Sequence, residues 1–223
     1  MEADHPSVYP APDEVWVTVG YLADSMIIVV AALKGGVGKT TTAVYLSALA
    51  AASRDTTLID ADPQGSAADW LLNTEDDQLA DVELIEAPTE RLLSRALGRL
   101  GEDGVAIVDT PPGHDRLLAK ALDFADVVVL PTRVGGVEAP RVDAVLAMIP
   151  RDIPVGLVIC SARTYTRDYQ ELVDAWSGAV ERVWGSVPER VTIAQGPQSR
   201  LAADGVEAYR PVWRRAQRAA HGG

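Results

Sequence analysis

Short and nearly uninterrupted apolar runs recur along the chain and are rich in β-branched residues. From Met26 onwards these runs are IIVVAAL, TTLID, VELIEA, VAIVDT, DVVVLPT and IPVGLVIC. Such runs are typical of parallel strands that other elements cover on both faces, because both sides of the strand must then be apolar. The pattern predicts a mostly parallel sheet.

Helix-like segments separate these runs. They are expected near Lys39–Ser53, Thr89–Leu100, Asp115–Phe124, Gly136–Met148 and Arg167–Val180. Regular alternation of strands and helices indicates an α/β fold, a doubly wound sheet with helices on both faces. The last stretch, Asp204 to Ala220, predicts one or two surface helices in which Pro211 interrupts or starts a helix.

The length and the N-terminal composition suggest the domain organisation. A chain of 223 residues can bury a full core as one domain, which we place at residues 26–223. Residues 1–25 are proline-rich and acidic and are expected to form a loosely attached or disordered extension, or to reflect a misassigned start. The longest apolar run, Met26 to Leu33, is too short to span a bilayer. No basic residue precedes Lys34, which does not favour a secretory signal, so we expect a cytoplasmic protein.

The net charge of −12 argues against a protein coated with nucleic-acid-binding surface, but the charge is unevenly distributed. Residues 1–25 and 55–90 contain no lysine or arginine, whereas residues 200–223 hold an excess of arginines over acids. Cys160 is the one cysteine. A single cysteine excludes an internal disulfide framework and a cysteine-only metal cluster within one chain, and we expect the Cys160 thiol to be buried.

The stretch VVAALKGGVGKTTT lies at a predicted strand-to-helix turn and ends like a phosphate-binding loop. The usual first glycine is replaced by Leu33. The glycines at 35, 36 and 38 would let backbone N–H groups approach phosphates, and the helix N-terminus adds partial positive charge. Lys39 would reach the β- and γ-phosphates, and Thr40 would hold Mg²⁺.

Acidic residues end two of the predicted strands. Asp60 ends TTLID and Asp62 follows two residues later, where the carboxyl ends of parallel strands face a ligand crevice. A helix N-cap at Asp62-Pro63 is the alternative. Asp109 ends VAIVD, and its carboxylate would hold Mg²⁺ through water. The turn that follows could sense the γ-phosphate, and His114 there is more typical of a solvated cap than of a general base.

Four motifs taken together resemble a known family. KGGVGKTTT, LIDADPQGSAADW, VDTPPG and VVVLPT, in this order, resemble the ParA branch of the deviant Walker A ATPases, which are partition ATPases related to MinD and the nitrogenase iron protein. The resemblance runs from about Met26 to Arg218. It implies a P-loop ATPase that binds ATP and Mg²⁺ and closes a homodimer around the nucleotide.

The same resemblance implies roles for individual residues. Lys34 would be the signature lysine that reaches the nucleotide of the partner subunit, and Asp62 would position the attacking water. Asp60 and Asp109 would support Mg²⁺ together with Thr40. The catalytic residues are thus expected to be Lys34, Lys39 and Asp62. A lysine supplied by the partner would make catalysis conditional on dimerisation, because phosphoryl transfer needs added positive charge.

The nucleotide would also contact residues along the loop and late in the chain. The segment VPERVTIAQGP resembles the part of the family that lies against adenine, although Gln195 departs from the small or acidic residue usual there. The expected nucleotide-binding residues are Lys34, Gly35, Gly36, Val37, Gly38, Lys39, Thr40, Thr41, Pro188 and Gln195.

Relatives in this family differ in what the dimer binds. Paired cysteines and a tyrosine-rich tail are absent from the sequence, which disfavours iron–sulfur carriers and tyrosine kinases. The ending VWRRAQRAAHGG has too few apolar residues for a membrane helix. We therefore expect arginines late in the chain to bind DNA without sequence preference, although these arginines could instead pair with surface acids. The candidate DNA contacts are Arg190, Arg200, Arg210, Arg214, Arg215 and Arg218.

The sequence therefore predicts a partition ATPase. It would hydrolyse ATP slowly, associate with the nucleoid, and respond to a ParB-like centromere-binding adaptor. Two alternatives stay open: a MinD-like membrane-associated positioning ATPase, and a nucleotide switch that positions a cargo other than DNA. Carboxysome-positioning relatives often lack the signature lysine, whereas Lys34 is present here.

Overall fold

The computed structural model describes residues 25–113, 116–134, 139–175, 183–190, 193 and 200–222. Its centre is a seven-stranded sheet in the order β3-β2-β4-β1-β5-β6-β7, in which each pair of neighbours runs parallel. The strands are β1 (Met26–Val30), β2 (Thr56–Asp60), β3 (Val82–Glu86), β4 (Val105–Asp109), β5 (Val127–Arg133), β6 (Val155–Ala162) and β7 (Val183–Pro188). The predicted parallel α/β sheet is confirmed.

Helices cover both faces of this sheet. They are α1 (Lys39–Ala51), α2 (Ser66–Asn73), α3 (Glu90–Leu97), α4 (Arg116–Leu122), α5 (Ala139–Leu146), α6 (Arg167–Ala175) and α7 (Ala203–Ala220), with a short 3₁₀ turn at Asp77–Leu79. Apolar residues of α1, α2 and α7 form one core layer, and those of α3, α4 and α5 form the other. This is the expected consequence of crossover connections on both sides of a parallel sheet.

Three elements differ from the sequence-based prediction. The strand β7 was not predicted, because VWGSVP lacks a long apolar run, and α2 was expected only in the alternative in which Asp62-Pro63 starts a helix. The C-terminal stretch is one continuous helix that contains Pro211. That helix is also less superficial than expected, since Tyr209, Val212 and Ala216 are fully buried against the core.

Helix boundaries shift by a few residues elsewhere. For example, Thr89 is the N-cap of α3, where its hydroxyl accepts a hydrogen bond from the Leu92 N–H at 3.3 Å, and the helix ends at Leu97. The predicted extension lies almost wholly outside the described residues. The division into residues 1–25 and 26–223 stays a prediction.

Candidate nucleotide site

The site forms where three adjacent strands end. In the sheet register, Asp109 of β4 lies directly between Val30 of β1 and Asp60 of β2. Sequence alone placed these residues at strand ends, and the strand order makes the two aspartates neighbours. Because the loop that follows β1 leads into α1, the carboxylates face the N-terminus of that helix.

The loop between β1 and α1 depends on glycine at its last position. Gly38 is the N-cap of α1 and has a left-handed backbone with φ of 104°, which disfavours residues with a Cβ. A Cβ at this position would also lie 3.1 Å from the Cys160 Sγ. No side chain caps the helix. The first N–H groups of α1 are therefore available to an anionic ligand in the cleft.

Lys39 begins α1 and lines the cleft, although only 7% of its surface is exposed. Burial lowers the pKa of its ammonium group, while the charges of Asp109 and Asp62 act in the opposite direction. A buried lysine of this kind is stabilised in its charged form by an anionic ligand. This is the property expected of a phosphate-binding lysine.

Thr40 and Asp109 form a pair beneath the loop. The Thr40 hydroxyl donates a 2.7 Å hydrogen bond to Asp109 Oδ2, whereas the buried Asp109 Oδ1 has no hydrogen-bond partner. Burial raises the pKa of the Asp109 carboxyl to about 7, and the nearby charge of Asp60 also raises it, while Thr40 and Lys39 lower it. An unpartnered buried oxygen beside a hydroxyl fits a hard cation.

The protein alone does not build a complete metal cage in the part of the chain that the structure describes. Within those ranges, no group of three histidine, cysteine, aspartate or glutamate side chains is arranged to hold a metal ion. Mg²⁺ commonly takes one or two protein ligands and completes its shell with phosphate oxygens and water. Thr40 and Asp109 fit that mode of binding.

Asp60 holds the next loop in place. Its Oδ1 accepts the Asp62 N–H at 3.0 Å, and its Oδ2 accepts the N–H groups of Ala67 and Ala68 at 2.9 and 2.8 Å. The carboxylate therefore accepts hydrogen bonds from backbone N–H groups in the first turn of α2, although Asp60 belongs to the preceding strand. The N-cap alternative named Asp62, which is wrong, since the N-cap of α2 is Gly65. A metal-supporting role for Asp60 stays a prediction.

Asp62 lies in the loop that Asp60 holds and lines the cleft. Its Oδ1 accepts the Gln64 N–H at 2.9 Å, which orients the carboxylate. In the turn after β4, the Thr110 hydroxyl donates to the Val30 carbonyl at 2.8 Å, and Pro112 lines the cleft. His114 lies outside the described residues.

The two lysines of the loop lie in different environments. Lys39 lines the cleft, whereas Lys34 is exposed and borders a small depression formed with Val142 and Val145 of α5. Leu33, which replaces the usual first glycine, is half-buried and packs against the core layer that includes α5. The side chain at position 33 therefore contributes to packing.

The cleft, about 310 Å³ in volume, extends from the loop to the far end of the sheet. Pro188, one of the predicted nucleotide contacts, lies in its wall, and Gln195 lies outside the described residues. The loop contributes Gly35, Gly36, Val37, Gly38, Thr40 and Thr41.

Sequence reasoning missed several residues of the wall. Arg133 follows β5's apolar run, and its Nη2 donates to the Ser161 Oγ at 2.7 Å. Ser161 has φ of 50°, a left-handed conformation that is uncommon outside glycine. Both lie at the carboxyl ends of parallel strands, so the rule that identified Asp60 and Asp109 could have identified them also.

A buried polar cluster joins α7 to α1 below the cleft. The Tyr209 hydroxyl lies 2.9 Å from the Thr42 Oγ1 and 3.8 Å from the Cys160 Sγ, and its ring stacks on Tyr45 with centroids 5.1 Å apart. The thiol of Cys160 is buried as predicted, and burial raises its pKa. The cluster packs α7 directly against the helix that carries Lys39.

The candidate DNA contacts divide into two groups. Arg190 pairs with Asp204 at 3.4 Å, Arg210 pairs with Glu207 at 2.9 Å, and Arg215 donates to the Val183 carbonyl oxygen. The remaining three are exposed: Arg200, Arg214 and Arg218. Pairing with surface acids thus holds for two of the six. On α7, positions 210, 214 and 218 repeat every four residues and share the outer face.

None of the helices in the described ranges is both long and apolar enough to cross a membrane.

The chain matches a known protein family. The family model described as the CobQ/CobB/MinD/ParA nucleotide binding domain matches residues 28–202.

Individual relatives cover different shares of the chain. Over 100 residues the chain is 46% identical to the maintenance of carboxysome distribution protein A of Gloeobacter kilaueensis. The matched region is 44% of this chain and 45% of that protein. Over 231 residues it is 29% identical to the chromosome-partitioning ATPase Soj of Thermus thermophilus, with 82% and 92% covered. The chain spans about half the length of three curated relatives, which are the carboxysome protein and the ParA proteins of Myxococcus xanthus and Rhizobium radiobacter.

A solved structure has the same fold. A plasmid partition protein of Borrelia burgdorferi bound to AMPPNP superposes with a TM-score of 0.72 at 22% identity, covering 86% of this chain and 98% of that one. At this identity the likeness shows the fold alone.

Proposed function

The chain belongs to the CobQ/CobB/MinD/ParA family of nucleotide-binding domains, and from that membership we propose that it is a Mg²⁺-dependent partition ATPase that slowly hydrolyses ATP to ADP and phosphate. One observation carries the proposal. Lys39, Thr40, Asp62 and Asp109 converge around the uncapped N-terminus of α1. Helix N–H groups and a buried lysine bind phosphates, and carboxylates beside them suit a cation and a water.

Each residue has a distinct task in this proposal. Thr40 and Asp109 would hold Mg²⁺, which supplies positive charge against the phosphates when bound. Lys39 binds the phosphate oxygens. Asp62 accepts a hydrogen bond from the attacking water and orients it, and Asp60 positions that loop through its three backbone hydrogen bonds. No strong base is assigned, so turnover is expected to be slow.

Lys34 acts on the neighbouring subunit. It is exposed and borders a depression beside the cleft, so a second copy could bring it to the phosphates. A homodimer closed around two nucleotides would complete the charge at both sites. Hydrolysis would then require dimerisation, as it does with an arginine finger supplied in trans.

Variants of the two lysines test this arrangement. Lys34→Ala is expected to retain ATP binding and lose turnover, since the dimer's added charge is missing at the transition state, whereas Lys39→Ala loses binding itself. Fluorescent-ATP titration and phosphate release measure the two properties. Asp62→Ala should accumulate an ATP-bound dimer in size-exclusion chromatography. Normal turnover in Lys34→Ala would refute the trans role.

The protein would be cytoplasmic. Its dimer would bind DNA without sequence preference and associate with the nucleoid. The three exposed arginines Arg200, Arg214 and Arg218 support this part of the proposal most directly. Two subunits would present the surface twice, so ATP-driven dimerisation would raise avidity. A ParB-like adaptor would stimulate hydrolysis and release the monomers. The ATPase domain would comprise residues 26–223, with residues 1–25 as an extension.

A gel shift with ATP and with ADP tests DNA binding. Replacing Arg214 and Arg218 with glutamate should abolish the ATP-dependent shift, because each phosphate contact releases counterions and the binding is strongly salt-dependent. Arg167→Glu and Arg151→Glu, which alter exposed arginines elsewhere, form the matched control. Retention on liposomes without DNA binding would instead favour a MinD-like protein.

A second candidate concerns the cargo. The 46% identity with the carboxysome distribution protein favours a positioning ATPase whose cargo is a protein assembly rather than DNA. Pull-down of the ATP-bound Asp62→Ala protein from its own cells distinguishes the two. Recovery of a centromere-binding protein supports partition, and recovery of shell or scaffold proteins supports the second candidate.

A further inference from the structure

A groove with an apolar floor lies at the C-terminal end of α2, and the nucleotide cleft lies at the other end of this helix. It runs between the end of α2, the 3₁₀ turn and β3, and its volume is about 390 Å³. Leu72 on its rim is 70% exposed, an unusual exposure for a large apolar side chain. The groove's apolar lining is formed by Leu71, Leu72, Leu79, Ala80, Val82 and Leu84.

One side of this groove is an open strand edge. Within the described ranges β3 pairs with β2 alone and ends the sheet. Val82 and Leu84 line the groove and are half-buried, alternating with the exposed Glu83. An open edge presents backbone N–H and C=O groups to a further strand, and adjacent apolar pockets receive alternate side chains of that strand.

The charged residues that line the groove are all acidic. Its lining includes Glu75, Asp76 and Asp77, of which Glu75 and Asp77 are exposed, and residues 55–90 contain no lysine or arginine. A segment that enters must therefore carry positive charge. A second copy of β3 would bring the same acids together. Residues 1–25 of the chain itself, with five acidic residues and no lysine or arginine, also have the wrong sign.

We infer that the groove between α2 and the open edge of β3 docks an extended, basic segment of a partner protein. The segment adds a strand to β3, places aliphatic side chains over Leu72 and Leu84, and sets its basic side chains against Glu75 and Asp77. This surface does not depend on the proposed ATPase activity, because docking requires neither nucleotide nor dimer.

The surface is connected to two functional elements. The N-terminus of α2, at the opposite end of the helix that carries Leu72, is held by Asp60 beside Asp62. The buried Asp76 accepts the backbone N–H of Leu201, directly before α7, at 2.5 Å. A docked segment therefore contacts elements that lead to both the cleft and the arginine-bearing helix.

A labelled peptide tests the inference on the full chain. The probe is a seven-residue peptide of alternating lysine and valine, read by fluorescence anisotropy without nucleotide, beside a peptide in which glutamate replaces lysine. The basic peptide should bind and the acidic one should not. Glu75→Lys with Asp77→Lys should weaken binding by about tenfold or more, and Leu72→Ser by about fivefold.

A matched control separates the groove from the general negative field. Asp152→Lys with Asp168→Lys makes the same change of charge at exposed positions on the other half of the sheet, and it should leave affinity within about twofold. Equal weakening by both double variants overturns the inference, as does equal binding of the two peptides. If Leu72→Ser instead dissolves a dimer in light scattering, the occupant is a second copy and the inference is wrong.

Discussion

At the scale of single residues, the cleft holds charges that the protein alone leaves unbalanced. Lys39 is buried with its pKa lowered, and Asp109 is buried with its pKa raised to about 7 and with Oδ1 unpartnered. An anion beside Lys39 and a cation beside Asp109 would each stabilise the charged form. The opposite shifts of these adjacent residues are consistent with a site arranged for Mg²⁺ and phosphate together.

One residue prediction concerns the start of α1. Gly38→Ala should lower the free energy of unfolding by about 1–3 kcal/mol, because a Cβ at φ of 104° is strained and would press on the Cys160 Sγ. Urea denaturation of the nucleotide-free protein measures it. Gly35→Ala, where a Cβ would meet no heavy atom within 4 Å, should change stability by less than about 0.5 kcal/mol. Equal losses in both variants would contradict the explanation.

At the scale of elements, packing decides where β7 and α7 lie. The pairing of β6 with β7 shifts between Leu157 and Val158, so that Trp184 is an extra residue in β7. Its ring covers Gly156, where a Cβ would lie 2.0 Å from ring atoms. The absence of a side chain at Gly156 therefore makes room for the indole and brings β7 against the sheet.

Gly156→Ala should destabilise the protein by about 3 kcal/mol, since neither the strand nor the ring can move without breaking the pairing. Gly101→Ala, with nothing within 4 Å of its Cβ, is the neutral comparison. Thermal or urea denaturation measures the loss. Combining Gly156→Ala with Trp184→Leu should recover part of the stability. A double variant no better than the sum of the singles would show that the indole is not the cause.

At the scale of the whole molecule, opposite charge lies at opposite ends of the sheet. The acidic stretch contributes β2, α2 and β3 at one edge, whereas α7 packs against β7 at the other and carries arginines on its outer face. A net charge of −12 therefore does not prevent a local basic surface.

The whole-molecule prediction concerns assembly. ATP with Mg²⁺ should convert the 23.7 kDa chain to a species of about twice that mass in light scattering, because in the proposed dimer the phosphates bound by one subunit would attract Lys34 of the other. Removing Mg²⁺ with a chelator should return the monomer, and ADP should not support the dimer. A dimer that persists unchanged without nucleotide would contradict this assembly.

Local pattern was enough to predict the strands β1 to β6, the glycine-rich turn between β1 and α1, and the position of Asp60 and Asp109 at strand ends, because each depends on residues close together in sequence. It did not reveal β7, whose position depends on Gly156 more than twenty residues earlier. It also could not assign Asp60 to the N-terminus of α2, since the alternative pointed to Asp62. Arg133 and Ser161 were missed for a different reason, since each lies one residue beyond the apolar runs DVVVLPT and IPVGLVIC from which the strands were predicted.

The sequence by itself determined the chemistry available to this protein: glycines and lysines at a strand-to-helix turn, acids at strand ends, and a parallel α/β sheet. The tertiary structure alone decided which of those groups meet. Strand order sets Asp109 between β1 and β2, and side-chain packing joins Tyr209 to Thr42 across 167 positions of the chain. Apolar periodicity is a local property, whereas the contacts of a cleft depend on the order in which strands pair and on the volumes that pack between them.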